Sequence, residues 1–227
     1  MFRDLISLFF PNICLACSAP LQKFERCVCT SCNYHLPKTN FHKEKENAIT
    51  QIFWGRINIY SAASYFYFQK AGKVQHLIHQ LKYKGQQVVG EYIGEIYGNE
   101  LKNAEYFKNI DFIVPVPLHP KKLKKRGYNQ SECFARGISK SMNAPIVNDL
   151  QRNFFTETQT KKSRFERWRN VGSVFELTNK EKYINKQILI VDDVITTGAT
   201  IEACAQHFAA IEGVKISVVT IAYASNL

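Results

Sequence analysis

The stretch Ile188-Leu-Ile-Val-Asp192-Asp193-Val-Ile-Thr196-Thr197-Gly198-Ala199-Thr200 decides the fold of this 227-residue chain. Its first four residues are all large and apolar, which predicts a strand buried on both faces. Asp192 and Asp193 follow, and a loop of small residues then leads into a helical pattern over 199–211. Ligands of open parallel α/β sheets bind at the carboxyl ends of the strands. The sequence therefore predicts a binding site at this strand end.

The residue types around this strand end indicate a phosphorylated sugar as the ligand. Backbone N–H groups at a helix start, together with threonine hydroxyls, suit a phosphate monoester, and Gly198 lets the backbone approach it closely. Acids beside a phosphate cradle suit sugar hydroxyls or a hydrated cation. The P-loop pattern GxxxxGK[ST] is absent. The alternative is a plain strand–turn–helix unit whose acids only face solvent.

Working outward, apolar strands alternate with amphipathic helices from residue 111 onward. This order predicts an α/β fold with a largely parallel sheet. Upstream, the pattern predicts a strand or hairpin, then two helices, the first ending at Gly85. The predicted strands are 57–68, 111–117, one opening at Ile146, 186–193 and 214–222; the predicted helices are 72–82, Val88 to Leu101, 130–142 and 199–211; residues 118–129 are predicted to be a basic loop.

Five of the seven cysteines lie between residues 14 and 32. Two CxxC pairs, Cys14 with Cys17 and Cys29 with Cys32, have the spacing of two knuckles that complete a tetrahedral zinc site. The alternatives are disulfides and redox CxxC pairs. Disulfides are unfavourable in a cytoplasmic protein, and a redox CxxC pair would not normally occur twice. Cys27 remains open as a substitute ligand.

Composition bounds the class of protein. With 30 Lys and Arg against 19 Asp and Glu, the net charge is +11, which indicates a polyanionic partner. No apolar run reaches the roughly 20 residues of a transmembrane helix, so the sequence favours a cytoplasmic protein. Phe2, Leu5, Phe9 and Phe10 leave peripheral docking at the inner face of the membrane open. The predicted organisation is a zinc knuckle at 1–36, a polar linker at 37–53 and an α/β domain at 54–227.

The stretch 188–200 resembles the motif with which type I phosphoribosyltransferases bind phosphoribosyl pyrophosphate (PRPP). The resemblance implies a type I phosphoribosyltransferase-like fold, with a core at 111–227, and PRPP bound together with Mg²⁺. Asp192 and Asp193 would hold the ribose hydroxyls. The sugar phosphate would bind the loop of Thr196, Thr197, Gly198, Ala199 and Thr200.

Other stretches resemble the ComF family, which includes ComFC-type and GntX-like proteins and whose members also begin with paired CxxC motifs. The family resemblance implies a role in natural transformation on single-stranded DNA, together with competence DNA-processing proteins. A nucleobase salvage enzyme and a non-catalytic PRPP- or DNA-binding module stay open as alternatives. The matching stretches are Leu81 to Gly85, Val114 to Pro120, Arg126 to Gln130, and Gln159-Thr160 with Arg167, Asn170 and Phe175.

In such a protein, cations would stabilise the charge that develops on the pyrophosphate leaving group. Arg126 would share the catalytic role with Asp192 and Asp193, and Lys82 would add a phosphate contact. Residues 156–172 would be the mobile loop that closes over PRPP, and 54–85 the hood that selects the acceptor. The aromatic residues 60–68 would either stack on a base or belong to the core. The candidates for nucleic-acid contact are Lys121, Lys122, Lys124 and Lys125.

Overall fold

The computed structural model describes residues 11–152 and 174–225. Short 3₁₀ turns occur at Phe41–Lys43 and Lys180–Tyr183. In chain order, the other elements are α1 (Thr30–His35), α2 (Ala48–Ile52), β1 (Ser61–Tyr67), α3 (Lys73–Tyr83), α4 (Gln87–Leu101), β2 (Phe112–Pro115), α5 (Pro120–Arg126), α6 (Gln130–Met142), β3 (Leu150–Arg152), β4 (Phe175–Leu177), β5 (Gln187–Ile195), α7 (Ala199–Ala209) and β6 (Lys215–Tyr223).

Four parallel strands form the central sheet in the order β1-β6-β5-β2. Strand β5 lies inside it, with Leu189 opposite Ile113 of β2 and Ser217 of β6. Ile113 of β2 also forms an isolated parallel bridge with Ile146. Strands β3 and β4 form a separate antiparallel pair. The prediction of an α/β fold with a largely parallel sheet is therefore confirmed.

Alternate residues of β5 serve two different cores, as expected of a strand buried on both faces. Leu189 and Val191 pack into a core that includes residues of α3, α4 and α6. Ile188 and Ile190 pack into a second core that includes residues of α2, α7 and the β3–β4 pair. The sheet is thus covered on both faces, so the uncovered parts of its strands are their ends, among them the carboxyl ends that carry the predicted site.

The predicted basic loop over 118–129 is wrong, because residues 120–126 form helix α5. The His119 side chain caps this helix by accepting a hydrogen bond from the Lys121 amide at 3.2 Å. Pro120 occupies the first turn and Gly127 follows the last turn with φ +79°, the usual asymmetry of helix ends. The cations of its last turn also interact favourably with the carboxyl end of the helix dipole.

The segments preceding the α/β domain are packed against it. Cys14, Cys32 and Leu36 of the cysteine-rich segment belong to the same core as α3 and α4. The segment 37–53, predicted as a linker, is ordered; buried Asn47 caps α2 and donates a hydrogen bond to the Ala62 carbonyl at 2.9 Å. Strand β1, inside the predicted hood, is the edge strand of the central sheet.

Candidate functional site

The two adjacent acids lie near the carboxyl end of β5. Ser131 Oγ, in the first turn of α6, donates a hydrogen bond to Asp192 Oδ1 at 2.8 Å, and the Asp193 amide donates to the same oxygen at 2.8 Å. Burial of the carboxyl, followed by the charge of Asp193, raises the pKa of Asp192 to about 7. The acid pair thus holds less negative charge than two free carboxylates would. A cation bound there would favour the ionised form of both carboxyl groups.

Lys82 lies in the last turn of α3, and its Nζ is 2.8 Å from Asp193 Oδ1. Both side chains are largely buried, with 21% and 14% of their surfaces exposed. The predicted phosphate-binding lysine therefore forms an ion pair with one of the predicted ribose-binding acids. A ligand that engages Asp193 has to share that carboxylate with Lys82 or displace the ammonium group.

The threonine loop joins β5 to α7 and surrounds a small cavity of about 60 Å³, lined by Asp192 and residues 194–201. Gly198 is the N-cap of α7, with φ +73°. A side chain there would be strained, and its Cβ would lie 2.7 Å from Ile52 Cγ2. The first N–H groups of a helix have no partner within the helix, so the loop presents donors to this cavity.

Arg56 supports the loop from outside, and sequence reasoning missed it. Its Nη1 donates to the Thr197 carbonyl at 2.8 Å and to the Ile52 carbonyl at 3.1 Å, and its Nη2 pairs with Glu202 of α7. Thr197 is 141 residues away along the chain, so no local pattern could reveal the contact. Ser131, which holds Asp192, was missed for the same reason.

A second cavity, of about 270 Å³, lies between the end of α3 and helix α5. Arg126 lines it, donates to Gln130 Oε1 at 2.6 Å and lies over the Tyr83 ring, with 5.3 Å from Cζ to the ring centroid. The structure separates the four predicted nucleic-acid lysines, because Lys122 and Lys125 line this cavity while Lys121 and Lys124 do not. We call it the α3–α5 cleft; its lining residues are Lys82, Tyr83, Gly85, Lys122, Lys125, Arg126 and Tyr128.

The four cysteines of the two CxxC pairs come together, with all four Sγ atoms within 4.8 Å of one another. Cys17 Sγ and Cys29 Sγ are 3.8 Å apart, close to the sulfur–sulfur edge of roughly 3.8 Å that a tetrahedron with Zn–S bonds of ~2.3 Å requires. Backbone amides point at these sulfurs; the Cys29 amide lies 3.2 Å from Cys14 Sγ. The four thiols could therefore hold a metal ion, while buried Cys27 lies outside the group.

Comparison with known proteins supports a family assignment. The family model described as phosphoribosyl transferase domain matches residues 128–226. Over 200 residues, the chain is 28% identical to the DNA utilization protein YhgH of Escherichia coli (strain K12), covering 86% of this chain and 83% of YhgH. It is also 29% identical over 130 residues to Competence protein F of Haemophilus influenzae, covering 55% of this chain and 57% of that protein. Together, these matches support a ComF-family protein with a phosphoribosyltransferase domain.

The matched region 128–226 runs from the turn before α6 to three residues past the end of β6. It includes Ser131, the acid pair and the threonine loop, but excludes Lys82, α5 and the cysteine cluster. A purine phosphoribosyltransferase from Pyrococcus horikoshii Ot3 aligns with a TM-score of 0.37 and 13% identity, over 60% of this chain and 82% of that chain.

Other predictions made from the sequence have mixed outcomes. Of the aromatic residues 60–68, Tyr65 and Phe66 are buried in the core, which excludes them as base-stacking residues. The loop 156–172 and the apolar positions Phe2 to Phe10 lie outside the described residues. Within residues 11–152 and 174–225, no helix is both long and apolar enough to cross a membrane.

Proposed function

We propose that this ComF-family protein binds PRPP with Mg²⁺ at the carboxyl end of β5 and acts on single-stranded DNA during DNA uptake. The observation that carries the PRPP part is the juxtaposition of the acid pair with the threonine loop, whose cavity is lined by Asp192 and residues 194–201. The DNA part is supported by the relatives, which are named Competence protein F and DNA utilization protein, and by the net charge of +11.

Each part of PRPP has a counterpart among these residues. Asp192 and Asp193 accept hydrogen bonds from the ribose hydroxyls, and the amides and hydroxyls of residues 196–200 bind the sugar phosphate. Bound Mg²⁺ would neutralise charge on the pyrophosphate. Lys82, released from Asp193, and Arg126 lie in the same cleft, where they would stabilise the leaving group.

The chemistry of the four clustered thiols supports zinc as the metal of the N-terminal segment. Four thiolates without an open position are the donor set of a structural zinc site. The core around Cys14 and Cys32 also contains residues of the α/β domain. Zinc there would fix the knuckle against the domain and would take no part in the reaction.

Two other readings of the PRPP site make different predictions. A nucleobase salvage enzyme would release pyrophosphate when given a purine or pyrimidine. A non-catalytic module would bind PRPP but would release no pyrophosphate with any acceptor. Pyrophosphate release, measured with free bases and with single-stranded DNA as acceptors, separates these readings from the one proposed.

Asp192→Asn combined with Asp193→Asn is the direct test of the PRPP site. The amides keep the size of the carboxyls but lose the charge that favours a cation and ribose hydroxyls, so we expect at least a tenfold loss of affinity, or about 1.4 kcal/mol. Calorimetric titration of PRPP with and without Mg²⁺ measures it. Asp111→Asn is the matched control, because Asp111 directly precedes the amino end of β2, at the end of the sheet away from the site. It should leave the affinity unchanged. Equal affinity for wild type and the double variant would refute the site.

Arg56→Gln tests the support of the loop. Loss of the guanidinium removes the hydrogen bond to the Thr197 carbonyl and the ion pair with Glu202, so the loop should hold its phosphate-binding geometry less firmly. We expect PRPP affinity to fall about threefold to tenfold, in the range of one ordinary net hydrogen bond, because the loop is supported indirectly. Affinity for inorganic phosphate should fall by a similar factor, since Arg56 acts through the loop and not through ribose. A loss for PRPP without a loss for phosphate would contradict this role.

A further inference from the structure

The α3–α5 cleft combines features that PRPP alone does not explain. Tyr83, on one wall, is 63% exposed, although large aromatic side chains are usually covered. The Arg126 guanidinium lies over its ring and the tilted His79 ring lies 5.1 Å from it, centroid to centroid, yet most of the Tyr83 residue stays exposed. A pyrophosphate group would use the cations here but would gain nothing from an exposed aromatic face.

The cleft is held in shape by contacts on both walls. Tyr128 donates its hydroxyl hydrogen bond to the Leu81 carbonyl, which ties the turn after α5 to the end of α3. Arg126 is fixed by Gln130 at the start of α6. Gly85, with φ +73°, ends the α3 wall. The aromatic ring and the guanidinium are therefore positioned before any ligand arrives, which lowers the entropic cost of binding.

Helix α5 sorts its lysines by face. Lys122 and Lys125 are three residues apart, so they lie on one side of the helix and line the cleft, whereas Lys121 and Lys124 are outside its lining. Within the described residues, none of these four lysines forms an ion pair with an acidic side chain. The cleft thus offers two unneutralised ammonium groups beside an aromatic platform.

We propose that the α3–α5 cleft binds single-stranded nucleic acid, with a base stacked on Tyr83 and the neighbouring phosphates on Lys122 and Lys125. Stacking of bases on aromatic side chains along a cationic groove is the general mode by which single strands bind without strong sequence preference. The inference rests on the proposed function in one respect only, namely that the bound strand is DNA. Lys82 lines the cleft and also pairs with Asp193, so the strand would lie directly beside the PRPP site.

Tyr83→Ala tests the stacking. Fluorescence anisotropy at low salt compares a labelled oligothymidylate of about ten nucleotides with a strand of equal length made of abasic sites. We expect Tyr83→Ala to weaken binding of the oligothymidylate about tenfold and to leave binding of the abasic strand unchanged, because an abasic strand has no base to stack on the ring. Tyr83→Trp should retain affinity. Tyr34→Ala, at an 84% exposed tyrosine of α1, is the control and should match wild type.

The lysine pairs test the phosphate contacts. Lys122→Gln with Lys125→Gln should weaken binding of both strands and reduce the slope of log affinity against log salt by about 1.4, since each phosphate contact on a single strand contributes about 0.7. Lys121→Gln with Lys124→Gln makes the same change of charge on the same helix and should have a clearly smaller effect. Equal effects of the two pairs would overturn the assignment to the cleft, as would unchanged oligothymidylate affinity in Tyr83→Ala.

The PRPP proposal and the cleft proposal fail separately. The Asp192→Asn, Asp193→Asn variant should keep or increase its affinity for the strand, because it frees Lys82 from its ion pair. Loss of PRPP binding in that variant therefore leaves the cleft test intact. A wild-type protein that binds PRPP but shows no affinity for the oligothymidylate at low salt would overturn the cleft proposal alone.

Discussion

Replacing Cys14 or Cys32 with serine is expected to abolish metal binding and to unfold the knuckle, the largest single-residue effect that we predict. Removing one thiolate breaks a four-sulfur site, and structural zinc contributes on the order of 10 kcal/mol to small zinc domains. Native mass spectrometry should find one zinc per wild-type chain and none in either variant. Hydrogen exchange should show loss of protection over residues 14–36, while β5 and β6 stay protected.

Cys27→Ser is the matched control for this prediction. Cys27 is buried in the same segment but lies outside the group of four sulfurs. The variant should therefore keep its zinc and lose only the modest packing energy of a buried thiol, about 1 kcal/mol. If Cys29→Ser keeps full zinc and Cys27→Ser loses it, the ligand assignment is wrong at that position.

The elements closest to the site were the most predictable, because their signals are local. An unbroken apolar run can be satisfied only by burial on both faces, so Ile188 to Val191 indicated an interior parallel strand, and the structure confirms it. The acid pair and Gly198 then follow at fixed positions. The CxxC spacing likewise predicted a four-sulfur cluster, since each knuckle brings two thiols together within four residues.

Apart from helix α5, the features that were missed depend on contacts between distant parts of the chain. Helix α5 was missed because the repeated cations in 121–126 suggested a loop. Its signal was local: a proline at the start, Pro120, combined with a glycine just past the end, Gly127. Strand β1 pairs with β6 about 150 residues downstream, and Arg56 reaches Thr197 across a similar distance. Pairings of this kind are fixed by tertiary packing, so neither periodicity nor spacing could place them.

Gly94→Ala is expected to cost about 3 kcal/mol or more in the free energy of unfolding. Helices α4 and α6 approach so closely that a Cβ on Gly94 would lie 2.2 Å from the Phe134 carbonyl oxygen, and one on Gly137 would lie 2.1 Å from the Glu91 carbonyl oxygen. Backbone atoms cannot move aside as a side chain could, so the helices must separate, and overpacking of this kind is destabilising. Equilibrium urea unfolding measures the change. Asn99→Ala, at an exposed position of α4, is the control and should change stability by less than about 0.5 kcal/mol.

The same variant links the packing of these helices to the site. Helix α6 carries Ser131, which donates to Asp192, and Gln130, which holds Arg126. A displacement of α6 by Gly94→Ala should therefore weaken PRPP binding even in the fraction of molecules that is folded. Calorimetry on the folded protein, below the onset of unfolding, should show a lower PRPP affinity than Asn99→Ala shows. A Gly94→Ala variant that is as stable as Asn99→Ala would contradict the close packing of the two helices. A destabilised variant that binds PRPP like wild type would contradict the link between this packing and the site.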